Sequence, residues 1–296
     1  MSVPQRIAIT GASGLIGTAL VGHLKSEGHT VQRLVRRAPV AADEVQWDPQ
    51  TGFVNLEPLR GVDAIIHLAG VGVGDKRWNK KYKSEILNSR LLGTTAIANA
   101  VAELKPQVFI SASAIGWYGE SGNRAVVETD RAGDDFLAAV CREWEAAADL
   151  AGDVRTVKLR TGLVLDPTGG ALGKMLPLFR LGLGGKMGNG KQWWSWITLH
   201  DQIRAIVFAL ENPISGPVNV TAPNPVTNQE FTSALARAMH RPALFPAPAL
   251  ALKIALGGFS SEILGSKRVI PHVLQEAGFT WDYPHISEAL AQLVED

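Results

Sequence analysis

The first half of the chain alternates short apolar runs with stretches of helical spacing. Ile7–Thr10 is an apolar run that predicts a buried strand, and Ile16, Leu20 and Leu24 then recur at the spacing of one helix face. Further strands are predicted at Thr30–Val35, Val45–Asp48, Val62–Gly70, Gln107–Ser111 and Val154–Leu159. Helices are predicted at Asn79–Leu104 and Asp134–Leu150. This alternation favours an α/β fold with a parallel sheet and helices on both faces.

The pattern changes after Leu165. Gly169–Trp196 is rich in glycine and ends in three tryptophans, which is typical either of a mobile segment over the sheet edge or of a glycine-rich surface loop with aromatic packing. Beyond it we expect a packed apolar helix at Ala247–Gly257, flanked by prolines. The remaining predicted elements are helices at His200–Glu211, Thr227–Met239 and Ile286–Val294 and a strand at Val218–Val220. Thr227 and Glu230 have the spacing of a capping box.

These elements predict two parts. Residues 1–165 would form a doubly wound domain, to which residues 196–225 return, and residues 166–296 would form a smaller substrate-side lobe ending in a domain at about 245–296.

The composition narrows the classes of protein and of partner. The chain has 296 residues, 46% hydrophobic and 19% charged, which is enough apolar sequence for a sizeable core. A formal net charge of +1 gives no reason to expect nucleic acid or an anionic membrane as partner.

One cysteine, Cys141, excludes an intrachain disulfide and fits a reducing compartment. Because the first strand begins at once, we expect no signal peptide and a cytoplasmic location. No His, Cys or carboxylate cluster has metal-ligand spacing.

The segment Arg6–Gly17 carries the clearest chemistry. Its glycines, Gly11, Gly14 and Gly17, stand between the first strand and the first helix. In such a turn the backbone N–H groups and the positive end of the helix dipole hold a dinucleotide pyrophosphate. Gly11 would permit the tight turn, Gly14 the close approach of phosphate, and Gly17 the close packing of the helix. Ser13, Leu15 and Ile16 belong to the same predicted cofactor-binding turn.

The end of the second strand indicates which dinucleotide is bound. A carboxylate about twenty residues past the glycine turn would bind the ribose 2′-hydroxyl of NAD, whereas a basic residue there suits the 2′-phosphate of NADP. The chain has Arg36 at this position, with Arg37 beside it. A solvated basic strand end is the simpler alternative, but within this fold the pair favours NADP(H).

Other strand ends supply further candidates. Asp48 could reach the adenine edge or could begin the turn that follows it. The small residues that end the next strand, Leu68, Ala69 and Gly70, would let a cofactor lie across the sheet. We interpret His67 as a hydrogen-bonded core histidine, because it stands inside an apolar run.

The motifs TGASGLIG (Thr10–Gly17), HLAG (His67–Gly70) and SASAIGWYG (Ser111–Gly119) resemble the extended short-chain dehydrogenase/reductase superfamily. The runs at Gly169–Gly185 and Leu264–Phe279 resemble one branch, the YfcH-like epimerase-family proteins. The resemblance covers essentially the whole chain. It implies a Rossmann fold, NADP(H) binding and an activity of epimerase or oxidoreductase type, with a C-terminal domain of unknown function.

The resemblance also implies a Tyr and a Lys four residues apart, which this chain lacks. The tyrosines at 82, 118 and 283 are followed four residues later by Ile, Gly and Ser. If Glu145 matches the superfamily's acidic residue, Leu137 and Cys141 occupy the two catalytic places. Ser113 is the expected counterpart of the active-site serine, with Ser111 as an alternative, and Arg90 stands where the superfamily has Asn.

Substitutes for the missing proton donor would be Tyr118, Lys76, Lys174 or Cys141, although we interpret Cys141 as an inert core residue. Tyr118 lies just beyond the fifth predicted strand and has the required functional group. A small substrate under the glycine-rich segment would meet Lys76, Arg77, Trp78, Lys174 and Arg180. The sequence therefore predicts an atypical NADP(H)-dependent oxidoreductase or epimerase, or, as the alternative, a protein that binds NADP(H) without turnover. It leaves the oligomeric state open.

Overall fold

The fold was taken from a computed structural model, which describes residues 3–295. Eight strands form one sheet, namely β1 (Arg6–Thr10), β2 (Thr30–Val35), β3 (Glu44–Asp48), β4 (Phe53–Val54), β5 (Ala64–His67), β6 (Val108–Ala114), β8 (Arg155–Thr161) and β12 (Gly216–Val220). Their order across the sheet is β12-β8-β6-β5-β1-β2-β3-β4, and every pairing is parallel except β3 with β4. Strands β2, β3 and β4 lie on one side of β1, and β5, β6, β8 and β12 lie on the other. The strand order therefore changes direction between β1 and β5, and a ligand crevice is expected at the carboxyl ends of these two strands.

Helices cover both faces of the sheet because the strands are apolar on both sides. The helices are α1 (Leu15–Ser26), α2 (Lys80–Leu104), α3 (Phe136–Ala148), α4 (Gly170–Arg180), α5 (Leu199–Glu211), α6 (Asn228–Ala238), α7 (Ala249–Leu256), α8 (Ser260–Leu264), α9 (His272–Glu276) and α10 (Ile286–Glu295). One core packs α1 and α5 against the side chains of Ile7 and Ile9, and another packs α2 and α3 against Ala8 and Ile65. The predicted α/β class and parallel sheet are thus confirmed.

A third core lies beside the sheet. It joins α4, α6 and α10 through Leu172, Phe179, Phe231 and Leu290. Short strands bind this part to the rest, namely β7 (Ala125–Val126), β9 (Leu163–Asp166), β10 (Trp193–Trp194), β11 (Trp196–Thr198), β13 (Val226–Thr227) and β14 (Arg268–Val269). The capping box predicted at Thr227 and Glu230 begins α6.

Two expectations for this part need correction. The segment Gly169–Trp196 is not all loop, since Leu172, Leu176 and Phe179 bury one face of α4 despite Pro177 within that helix. A helix was expected around Ala247–Gly257, and α7 is there, but it has no buried residue and is not packed as predicted. Apolar composition predicted burial, whereas in the fold Leu250 and Ile254 are exposed and Leu252 and Leu256 are only half-buried.

Within residues 3–295, none of the helices is both long enough and apolar enough to cross a membrane.

Candidate functional site

The glycine turn is built by two contacts that only glycine allows. Gly11 has φ +69°, and a Cβ there would lie 2.8 Å from the carbonyl carbon of Leu68. A Cβ on Gly17 would lie 2.1 Å from the carbonyl oxygen of Gly11. The start of α1 therefore packs directly on the turn, as predicted. Among residues 3–295, no side chain caps the N-terminus of α1, which leaves that positive end to a ligand.

Thr10 fixes the loop on the opposite side of the turn. Its Oγ1 accepts the N–H groups of Leu68 at 3.1 Å and Ala69 at 3.2 Å, and it lies 2.7 Å from His67 Nδ1. This contact joins the imidazole to the threonine that holds the loop. Burial lowers the pKa of His67 to about 3. His67 is thus a neutral core histidine, as predicted, and no acid or base.

A cleft of about 1350 Å³ opens in front of this turn. Eight of the predicted cofactor residues line it, namely Gly11, Ser13, Gly14, Arg36, Arg37, Leu68, Ala69 and Gly70. The sequence did not predict the rest of the lining, formed by Trp47 of β3, by Pro49 and Gln50 just after it, and by Lys81, Ser84, Glu85, Asn88 and Ser89 of α2. The polar first half of α2 was the available signal for its part of that lining. The volume and shape suit an extended ligand that runs from the turn to Arg36.

The two arginines at the end of β2 differ in their partners. Arg37 donates to both carboxylate oxygens of Glu44, at 2.7 and 2.6 Å, and these hydrogen bonds lower the pKa of Glu44 to about 2. Arg33, on the same strand, is held in the same way by Asp43. Arg36 is exposed, lines the cleft and makes no ion pair with residues 3–295. Of the predicted pair, Arg36 is the guanidinium that remains available to an anion.

Several predicted cofactor residues do not reach the cleft. Asp48 accepts hydrogen bonds from Gln50 N–H and Thr51 Oγ1, so it holds its own turn rather than facing an adenine. Arg90 donates to the carbonyls of Val71 and Ile86 and lies over the Trp144 ring.

Three further predicted residues are also directed elsewhere. Leu15 packs on Gly169, where a Cβ would lie 3.2 Å from it. Ile16 packs against the core formed by α1 and α5. Ser111 is buried and donates to the carbonyl of Ala112. All five act as supports of the cleft's walls.

The place predicted for proton transfer is a closed hydrogen-bonded network. Arg160 of β8 donates to both oxygens of Glu145 on α3, at 2.8 and 3.0 Å, and its side chain is 3% exposed. Ser113 Oγ donates to the same carboxylate at 2.7 Å. Tyr118 accepts from Arg160 at 3.1 Å and donates to Asn219 Oδ1 at 2.6 Å. Arg160 was not predicted to belong to this site, because a charged residue in a strand is typical of solvent exposure.

Internal hydrogen bonds hold Ser113 and Tyr118, the two residues predicted to be catalytic. Tyr118 is 4% exposed, and burial raises the pKa of its hydroxyl to about 12. Ser113 is committed to Glu145 and buried with it. Leu137 and Cys141 pack against the backbone at Gly116, and burial also raises the pKa of the Cys141 thiol to about 12. Ser113, Tyr118 and Cys141 are thus buried among partners within the protein.

Of the five residues predicted to contact a substrate, four lie at loop 70–78 or at the start of α4, and Arg180 lies apart from them. Loop 70–78 meets α4 where Lys174 Nζ lies 3.4 Å from the Gly74 carbonyl, and Lys76 in this loop is exposed and lies 3.4 Å from Glu85. Arg77 is exposed and packs on Gly257. Trp78 donates to the Val73 carbonyl and packs between Phe136 and Phe259, so it anchors the loop. Arg180 is exposed at the end of α4, away from this contact.

Comparison with known proteins places these features in a family. Residues 7–221 match the model of the NAD dependent epimerase/dehydratase family, and residues 247–293 match a domain of unknown function, DUF1731. Epimerase family protein ML0860 of Mycobacterium leprae is 44% identical over 290 residues, which cover 96% of this chain and 94% of that protein. The crystal structure of human epimerase family protein SDR39U1 (isoform 2) with NADPH has a TM-score of 0.91 and 33% identity, over 98% of this chain and 99% of that one.

A third relative is longer. The nucleoside-diphosphate sugar epimerase from Corynebacterium glutamicum has a TM-score of 0.81 and 37% identity, over 99% of this chain and 58% of that one. The resemblance seen in the sequence is therefore confirmed.

Two glycines of α1 offer a matched test of the turn. Gly17→Ala places a methyl group 2.1 Å from the Gly11 carbonyl, whereas a Cβ on Gly22 meets no atom within 4 Å. We expect Gly17→Ala to weaken binding of a dinucleotide at least tenfold, because the turn must open to admit the methyl group. Gly22→Ala should leave binding unchanged and stabilise the helix by up to about 1 kcal/mol. Fluorescence titration and urea unfolding of both variants measure these effects. Equal binding by the two variants would contradict the assigned turn.

Proposed function

The chain belongs to the NAD dependent epimerase/dehydratase family, and on that premise we propose that it is an NADP(H)-binding oxidoreductase or epimerase of atypical short-chain dehydrogenase/reductase type. One observation carries the choice of NADP(H) over NAD(H). Arg36 lines the cleft, is exposed and has no ion-pair partner among residues 3–295, whereas its neighbours Arg33 and Arg37 are bound by carboxylates. A free guanidinium at the end of β2 suits the 2′-phosphate of NADP.

The residues of the cleft fit this cofactor. Gly11 and Gly17 leave a cradle that any Cβ would fill, and the uncapped start of α1 would receive the pyrophosphate. Trp47, Pro49 and the polar side of α2 would enclose the adenine end. NADPH, when bound, supplies a hydride. Support also comes from the human relative, whose structure was determined with NADPH.

The basic side chains on the substrate side support a small polar or nucleotide-linked molecule as the substrate. Lys76, Arg77 and Lys174 bring three positive charges to loop 70–78 and the start of α4, where Lys76 lies 3.4 Å from Glu85. Such a cluster would bind a phosphate or carboxylate. Binding and orientation by these residues, rather than proton transfer by Tyr118, is the contribution we propose for them.

The alternative is an NADP(H)-binding protein without turnover, acting as a sensor of redox state or as an assembly factor. The Arg160–Glu145 network favours it, because Ser113 and Tyr118 are committed to internal partners and Leu137 and Cys141 are apolar or unreactive. Both functions require the same cofactor cleft, so turnover distinguishes them.

Arg36 gives the test of cofactor choice. The unmodified protein should bind NADPH at least tenfold more tightly than NADH, and Arg36→Asp should abolish that preference, because a carboxylate repels the 2′-phosphate. Arg37→Asp is the neighbouring comparison, in which loss of stability rather than reversed preference is expected, since Arg37 pairs with Glu44. Isothermal titration calorimetry measures all three proteins. Equal affinity of the unmodified protein for NADPH and NADH would contradict the role of Arg36.

Turnover is tested with NADPH and a panel of carbonyl compounds and nucleotide sugars, by following NADPH oxidation. If a substrate is found, we expect Tyr118→Phe to retain the rate within about threefold, because the Tyr118 hydroxyl is buried and hydrogen-bonded to Asn219. Loss of turnover in a folded Tyr118→Phe protein would instead restore Tyr118 as proton donor. Absence of oxidation across the panel, with NADPH still bound, would favour the sensor.

A further inference from the structure

One surface of the C-terminal part is apolar and exposed. It comprises the end of α4 and the following turn, the segment 244–247, and α7, and we refer to it as the α7 surface. Its exposed side chains are Leu178, Leu181, Leu183, Leu244, Phe245, Leu250 and Ile254, each at least half exposed, with Leu244 at 75% and Leu181 at 72%. Exposed apolar patches on a folded protein mark sites that bind another protein or a membrane.

Backbone hydrogen bonds connect the segments that carry these side chains. Leu183 N–H donates to the Leu178 carbonyl, and Phe245 N–H donates to the Gly184 carbonyl. The segment then runs beside residues 184–188 through the bond from Ala247 N–H to Lys186 O, and α7 begins two residues later. On α7, Leu250 and Ile254 are four residues apart and therefore lie on the same face. The exposed leucines thus belong to one structural unit.

The charges on these segments have a single sign. Residues 167–200 and 231–261 contain no aspartate or glutamate but contain seven lysines and arginines. Arg180 lies within the α4 end of the surface, Lys186 beside segment 244–247, and Lys253 on α7. The net charge of +1 for the whole chain hides this local distribution, because the compensating acidic residues lie in other segments.

We propose that the α7 surface docks on an anionic lipid bilayer, with Leu250, Ile254 and Phe245 inserted at the interface and the basic residues against the headgroups. Helices that lie in a membrane interface combine such an apolar face with lysine and arginine at its border. A second copy of the chain fits less well, because a twofold contact would bring the basic side chains of both copies into one interface. This docking would replace the expectation of no membrane partner, which came from the net charge alone.

The surface also adjoins the substrate side of the molecule. Gly257, at the end of α7, packs on Arg77, and the Trp78 ring packs on Phe259 just beyond it. At the other border, Lys174 of α4 contacts the Gly74 carbonyl. A protein docked through the α7 surface would thus hold loop 70–78 beside the headgroup region. The docking itself does not depend on the proposed redox function.

Co-sedimentation with vesicles tests the proposal on the full chain. One set of vesicles is phosphatidylcholine alone, and the other is equal parts phosphatidylcholine and phosphatidylglycerol. We expect binding to the anionic vesicles, weakened by salt and nearly absent with phosphatidylcholine alone. The double variant Leu250→Ser/Ile254→Ser should bind at least tenfold more weakly, and Lys253→Gln about fivefold more weakly.

The control is Leu150→Ser, which removes an equally large, half-exposed leucine outside the α7 surface and should bind vesicles like the unmodified protein. Circular dichroism and urea unfolding show that each variant is folded. Failure of the unmodified protein to bind anionic vesicles would overturn the proposal. So would a lipid-independent dimer that the Leu250→Ser/Ile254→Ser variant dissociates, since a second copy would then cover the surface.

Discussion

The pairing of Arg160 with Glu145 is the constraint on which the arrangement beside the cleft depends. Both groups are buried, and breaking such a pair on one side costs about 3–5 kcal/mol because an uncompensated charge remains. The Arg160 guanidinium also donates to the Tyr118 hydroxyl and the Glu128 carbonyl, and it lies 3.9 Å from the Trp117 ring centre. One side chain thereby fixes β8, α3 and the turn after β6 relative to one another.

The same network separates cofactor binding from proton transfer. The glycine turn, Thr10 and Arg36 retain what a dinucleotide site requires, and none of them depends on the residues that would perform chemistry. On the other side, hydrogen bonds commit Ser113 to Glu145 and Tyr118 to Asn219. These internal bonds favour a proton source other than Tyr118, such as Lys76 or Lys174 at the exposed loop contact.

Local patterns predicted much of the fold and part of the site. The strand at Thr30–Val35 and the capping box at Thr227 depend on residues adjacent in sequence, so they could be predicted from the sequence alone. The burial of Arg160 could not, because its partner lies fifteen residues away on another element. The role of Asp48 could not be predicted either, because the same carboxylate could bind its own turn or a ligand, and in the structure it accepts a hydrogen bond from Gln50. The exposure of α7 could not be predicted from its sequence, because it depends on how the other elements of the fold are arranged around this apolar helix.

Spectrophotometric titration of tyrosine ionisation tests the central claim most directly, namely that Tyr118 is a buried structural group. The signal of the unmodified protein minus that of Tyr118→Phe isolates this one hydroxyl. An ordinary tyrosine ionises near pH 10, whereas burial raises the pKa of Tyr118 to about 12. The difference signal should therefore stay flat through pH 10 and rise only toward pH 12. A phenolate appearing at or below pH 10, while the circular dichroism is still that of the native protein, would contradict the account.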